Sequence, residues 1–178
     1  MKKIIGLEMP NNSINSELFY TKDSGKIIYR NKIDTLIGIK HPGIILGDDL
    51  CGTTWVIHNH YQIGFAEIVT FNSFAAGTEV FYDNRPVNYN PEEIIARAID
   101  CWLSKKEYHW LFNNCQHFVN NIVRNKHSSE TLNRVGNFLI TIGLGTGSLA
   151  VHRKRKEVLH LGIFLVGLGL LLKLLNNI

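Results

Sequence analysis

Cys115 stands in the run Asn113-Asn114-Cys115-Gln116-His117-Phe118-Val119, where the pattern predicts the first turn of a helix. Phe118, Val119, Ile122 and Val123 recur at the spacing of one helical face, with Asn120, Asn121 and Arg124 on the other. Asn114 is placed to cap that helix, its side-chain oxygen accepting one of the N–H groups that a helix start leaves over. The macrodipole and those N–H groups favour an anion there, so the thiol should ionise more readily than an ordinary cysteine. A thiolate is a nucleophile. To turn over, it needs a base that takes and returns a proton, a group that orients the base, and a site for the oxyanion. The backbone N–H of Cys115 is a ready-made donor for the last of these. Spacing alone makes a lone cysteine at a helix start more often structural than catalytic, so the partners decide the reading.

Two histidine-bearing stretches precede it: His41-Pro-Gly-Ile-Ile-Leu-Gly-Asp-Asp49 and Trp55-Val-Ile-His58. Together with the cysteine run and Tyr108 upstream of it, they resemble the lecithin:retinol acyltransferase family, across most of residues 26 to 125. The cysteine run is similar to that family's Asn-Cys-Glu-His-Phe box, with Gln116 where the family usually has Glu. The first histidine stretch is similar to its His-x-x-Ile-Tyr-x-Gly-Asp strand and turn, with Pro42 where an aromatic residue is common. That family is related to NlpC-type and papain-like cysteine hydrolases, with the chain order permuted so that the histidine strands come first. The resemblance implies an α+β fold of this permuted papain-like, NlpC-like kind, a small antiparallel sheet packed on the cysteine helix. It also implies Cys115 as nucleophile, His41 as general base, and His58 as the third member, orienting His41 through a hydrogen bond. His60 is an alternative to His58, since residues two apart on a strand point to the same side. Tyr108 assists the oxyanion or packs. His117, roughly 200° around the helix from the nucleophile, is expected at the surface or in a cap. The same side chains, His41, His58, His60 and Cys115, have the types for a zinc site, but the resemblance implies metal-free chemistry and no cofactor.

The surrounding elements read as follows. Residues 1–25 form a polar, turn-rich lead-in. Lys26–Arg30, the apolar run Ile33–Leu46, Thr53–Ile57, Phe65–Phe71 and Thr78–Tyr82 are candidate strands, which make a four- or five-stranded antiparallel sheet. Asn90-Pro91-Glu92-Glu93 opens a helix with a cap, a proline in the first turn and a glutamate three after the cap. The stripe Ile94, Ile95, Ala98, Ile99 and Trp102 makes that helix scaffold, with Cys101 a small core residue beside it. The catalytic domain is expected over 26–130, and 131–178 is a hydrophobic tail with a basic loop at 152–157. Its apolar runs, Phe138–Val151 and Val158–Leu172, each fall short of the ~20 residues of a straight crossing. The second reaches Leu175 if Lys173 extends its head group to the interface. Gly143 and Gly147 form a small-xxx-small pair suited to close helix packing.

Charge separates the two parts. Residues 1–130 carry 13 Lys and Arg against 14 Asp and Glu, whereas residues 131–178 carry 6 against 1. A nucleic-acid binder concentrates basic charge on its folded domain, so this distribution argues for a membrane surface and against nucleic acid. Three cysteines with no C-x-x-C pair imply no disulfide framework, and the first apolar run is broken by Glu8 and Pro10 before an export core forms. The expectation is a membrane protein with one anchor near its C-terminus and a cytoplasmic catalytic domain. Its function is expected to be thiol-dependent acyl transfer from, or hydrolysis of, a phospholipid or other lipid ester. The alternatives are an NlpC-like cysteine peptidase or amidase, and an inactive membrane-tethered binding domain in which Cys115 only packs. Nothing in the sequence fixes the oligomeric state.

Overall fold

The structure, a computed structural model, describes residues 2–4, 17–31, 40–109, 111–126 and 128–176. The chain divides into two compact units, Met1–Lys126 and His127–Ile178. The first is α+β. Strands β1 (Ile27–Asn31), β2 (Lys40–Asp48), β3 (Thr54–His60), β4 (Phe65–Thr70) and β5 (Val80–Tyr82) form one antiparallel sheet in the order β4-β3-β2-β1-β5. Of the expected strand Ile33–Leu46, residues 33–39 lie outside the described residues, and β2 carries the remainder.

Strand side chains alternate between two faces, and the two faces here have different jobs. Ile27, Ile44, Leu46 and Ile57 face the helical layer made by α2 (Pro91–Leu103) and α3 (Cys115–Arg124), which adds Ile94, Ile95, Phe118, Val119 and Ile122 to the same core. Ile28, Ile45 and Val56 face the other way and pack on Phe74 of α1 (Phe71–Ala75). That short helix replaces the end of the expected strand Phe65–Phe71: Thr70 caps it by accepting from the Ser73 N–H at 3.2 Å, and Ala76 ends it in the left-handed region. α2 begins as expected, with the Asn90 side chain on the Glu93 N–H and the Glu93 carboxylate on the Asn90 N–H.

The lead-in is less loose than expected. Its residues 5–16 lie outside the described residues, but Leu18 is buried with Ile4 against the sheet, and Phe19 exchanges backbone hydrogen bonds with Asp48. The second unit is a hairpin of two helices, α4 (Glu130–His152) and α5 (Lys156–Leu175). Both exceed the apolar runs read from sequence, because the flanking polar residues continue the helical turns. At a rise of ~1.5 Å per residue their 23 and 20 residues reach roughly 34 and 30 Å, enough for a hydrocarbon layer of ~30 Å. Phe138, Leu144, Leu149, Ile163, Phe164, Leu171 and other large apolar side chains point out of the hairpin. Inside it the backbones touch: a Cβ on Gly143 would lie 2.6 Å from the Gly162 carbonyl oxygen, and one on Gly169 2.6 Å from that of Gly136.

Candidate active site

Ile44 and Leu46 turn toward the helical layer, so His41, Gly43 and Ile45 on the same strand must turn the other way. His41 and His58 stand on the opposite face, where both rings meet Phe74 at centroid distances of 5.8 and 5.4 Å. Gly43 makes this possible, since a Cβ there would come within 2.8 Å of both Phe74 and Val56. Both histidines are almost fully enclosed, at 1% and 4% exposure. His41 Nε2 and His58 Nδ1 share a hydrogen bond of 2.9 Å, the contact expected of a base and its orienter. Burial foremost, then the charges of His60 and Arg30, pushes the His58 pKa down to about 3, so this ring is neutral near pH 7. His60 lies beside the pair, 5.7 Å from His41 between ring centroids, but the hydrogen bond belongs to His58.

Cys115 occupies the expected place at the head of α3. The Asn114 side chain accepts from the Gln116 and His117 N–H groups at 2.9 and 3.1 Å, and its backbone carbonyl accepts from Phe118 at 2.9 Å. The thiol is 6% exposed, and its charge, when ionised, acts on Arg30. Arg30 pairs opposite His41 in the β1–β2 register, and its guanidinium lies 5.8 Å over the Phe74 ring. Its Nε is buried with no hydrogen-bond partner among the described residues. Desolvation lowers its pKa, and the negative charge of Cys115 works against that shift. Tyr108 also feels Cys115: its hydroxyl is pushed above the usual range by burial first, then by Cys115 and Tyr61.

Both ends of α3 are held. Before its head, Asn59 of β3 donates from Nδ2 to the Asn113 carbonyl at 2.9 Å, and Asn113 exchanges backbone hydrogen bonds with His109. The strand that carries His58 thus also fixes the peptide next to Cys115. At the tail, Arg97 of α2 donates to the carbonyls of Ile122 at 3.0 Å and Asn121 at 3.1 Å, a cation where the helix dipole is negative. Arg124 donates to Asp83 at 2.8 Å, and Asp83 also accepts from Tyr29 and Arg85. These hydrogen bonds hold the Asp83 carboxyl well below the usual carboxylate range despite its burial.

His117 is not at the surface but fully buried, and Asn120, placed on the polar face by spacing, is buried too and accepts from Arg124 at 2.8 Å. Arg30, Asn59, Glu67 and Arg97 were not singled out in the sequence. Asn59 alternates with His58 and His60, and counting back from the Tyr61–Gly64 turn pairs His58 with Glu67, so that signal was present. Arg30 is visible only through strand register. Among the described residues no group of three or more His, Cys, Asp and Glu side chains has the arrangement of a metal site.

Compared with known proteins, the sequence matches no family model and no curated protein. The site rests on its own geometry.

Proposed function

We propose that residues 26–130 are a cysteine-dependent acyltransferase or lipid hydrolase of the kind the lecithin:retinol acyltransferase family represents, with the permuted papain-like fold that family implies. The observation that carries this reading is the buried 2.9 Å His41–His58 hydrogen bond in the same unit as a buried thiol at a capped helix start. In this mechanism His41 takes the Cys115 proton, and the thiolate adds to the ester carbonyl. The oxyanion is held by the Cys115 N–H and collapses, and the alcohol leaves with the proton from His41. Water or an amine or alcohol acceptor then releases the acyl group by the same steps.

Two features favour a lipid over a peptide. The Tyr108 N–H donates to the Gly64 carbonyl at 2.6 Å, which joins the β3–β4 turn to the loop before α3; Tyr61, Ile63 and Phe112 on these segments are exposed apolar side chains. The tail adds two apolar helices of membrane-crossing length. Their glycine-to-backbone contacts support joint entry of the pair, in place of the single crossing expected from sequence. Arg124, Lys126, Arg134 and Lys173 flank one end of this hairpin and Arg153, Lys154, Arg155 and Lys156 the other, so charge bias does not choose a side. Cys51, Cys101 and Cys115, none of them in a disulfide, support a cytoplasmic domain. Protease added outside sealed cells tests this: digestion of the domain would place it on the other side.

Intact-mass measurement after incubation with mixed phospholipid vesicles tests the chemistry. An acyl adduct is expected on the wild-type protein and on Cys51→Ser and Cys101→Ser, and none on Cys115→Ala. An adduct surviving Cys115→Ala would end the assignment of the nucleophile. Cleavage of peptide amides in place of lipid esters would move the protein to the NlpC-like reading.

A further inference from the structure

His58 and Glu67 are direct cross-strand partners in the β3–β4 hairpin, and Glu67 Oε1 lies 3.4 Å from His58 Nε2 and 3.9 Å from His60 Nδ1. A carboxylate can only accept, so this 3.4 Å approach is attractive when the hydrogen of a neutral His58 sits on Nε2. If Nε2 of a neutral His58 bears its hydrogen, Nδ1 bears the lone pair. The 2.9 Å contact then has one direction: His41 Nε2–H donates and His58 Nδ1 accepts. His41 in turn keeps its lone pair on Nδ1. We propose that Glu67 is a positioning residue that fixes the tautomers of both histidines, so that His41 keeps its lone pair on Nδ1, the nitrogen left to act as a base.

The inference rests on the acyl-transfer reading and extends its His pair to a His41–His58–Glu67 relay. When His41 takes the Cys115 proton, it becomes an imidazolium whose Nε2–H already points at an acceptor. No ring has to turn, and no second proton has to move. Other charged and titratable groups share the setting. Arg30 enters from β1, His60 from β3 and Tyr108 from the loop before α3, while α1 contributes the Phe74 ring. Arg30 acts on the thiol by charge, whereas Glu67 acts on the rings by direction. Burial raises the Glu67 pKa by disfavouring its charge, and a more basic carboxylate oxygen is the stronger acceptor when ionised.

Two measurements on the full chain in detergent test this. Long-range nitrogen–proton NMR of histidine-labelled protein reads the tautomers directly and needs no activity. The expected result is a protonated Nε2 and an unprotonated Nδ1 on His58 in the wild type, with both tautomers present in Glu67→Ala. Glu67→Gln, whose carbonyl oxygen still accepts from Nε2–H, should restore the single tautomer. The second measurement is iodoacetamide alkylation of Cys115 against pH, followed by intact mass in a Cys51→Ser, Cys101→Ser background. In Glu67→Ala the rate at neutral pH should fall roughly ten- to a hundredfold, the range carboxylate partners of functional histidines are worth. The acid limb should move to higher pH, because the imidazolium partner of the thiolate is less stable. A wild-type His58 protonated on Nδ1, or a Glu67→Ala protein with unchanged spectra and alkylation, overturns the proposal. A wild-type Cys115 that alkylates no faster than a free thiol overturns the acyl-transfer reading instead, and the tautomer result then still judges Glu67.

Discussion

Arg30 brings a half-buried guanidinium to the histidine face, where its attraction to Cys115 favours the ionised thiol. Arg30→Gln should raise the midpoint of thiol ionisation by about one pH unit, read as the pH dependence of alkylation. Arg30→Lys keeps the charge without the planar fork and should recover part of the shift. An unchanged midpoint in Arg30→Gln would mean that the helix head alone governs the thiol. His58 makes a prediction about stability. Its pKa falls from 6.5 to about 3 on folding, so the unfolded chain binds a proton below 6.5 that the folded chain refuses until near 3. Stability is therefore lost as pH falls through that interval, by a few kcal/mol at most, on the order of 3–5. Urea midpoints measured from neutral pH down to about pH 4 should decline in the wild type and decline less in His58→Asn. Parallel curves for the two proteins would assign the acid sensitivity to other groups.

At the scale of the element, α3 is a rod held at both ends, and its anchors come from different neighbours. Arg97→Ala leaves the Ile122 and Asn121 carbonyls without their charged donor, and should cost about 1–3 kcal/mol in urea denaturation. Asn59→Ala should cost less stability but more activity, because it frees the peptide beside Cys115 while leaving the helical core intact. Equal losses of stability and activity in both variants would show that Asn59 has no special role. These anchors also mark what sequence could reveal. The Asn114 cap, the Asn90–Glu93 box and the stripe on α2 are local patterns, and each appears where its spacing puts it. α1 was hidden because Phe65–Phe71 is rich in β-branched and aromatic residues, and only the Thr70 cap marks the change to helix. The boxes point to His41 and His58 as a pair, yet the face on which they meet follows from Ile44 and Leu46 entering the helical core. His117 and Asn120 were placed by period alone, and a period cannot tell that a helix is enclosed on more than one side. Arg30 and Glu67 depend on register, which no single stretch of sequence encodes.

On the scale of the whole molecule, the hairpin tail offers a paired test. Gly143 faces the Gly162 backbone, whereas a Cβ on Gly145 would meet nothing within 4 Å. Trypsin cut at Arg153–Lys156 should leave the two helical fragments together in mild detergent, for the wild type and for Gly145→Leu. Gly143→Leu should let them separate, and continued co-purification there would show that the glycine contacts are dispensable. The two units also differ in how far along the chain their contacts reach. β1 must wait for β5, about fifty residues later, and Cys115 arrives later still, while α4 and α5 meet across a turn of a few residues. A chain made from its N-terminus thus completes the sheet first, adds Cys115 and α3 next and closes its hairpin last. The order of synthesis becomes an order of assembly, in which the thiol joins its histidines before the apolar helices are available to lipid. Pulsed alkylation of nascent chains should therefore find Cys115 reactive before α5 is made. Reactivity that begins only with the finished hairpin would make the tail part of the domain's maturation.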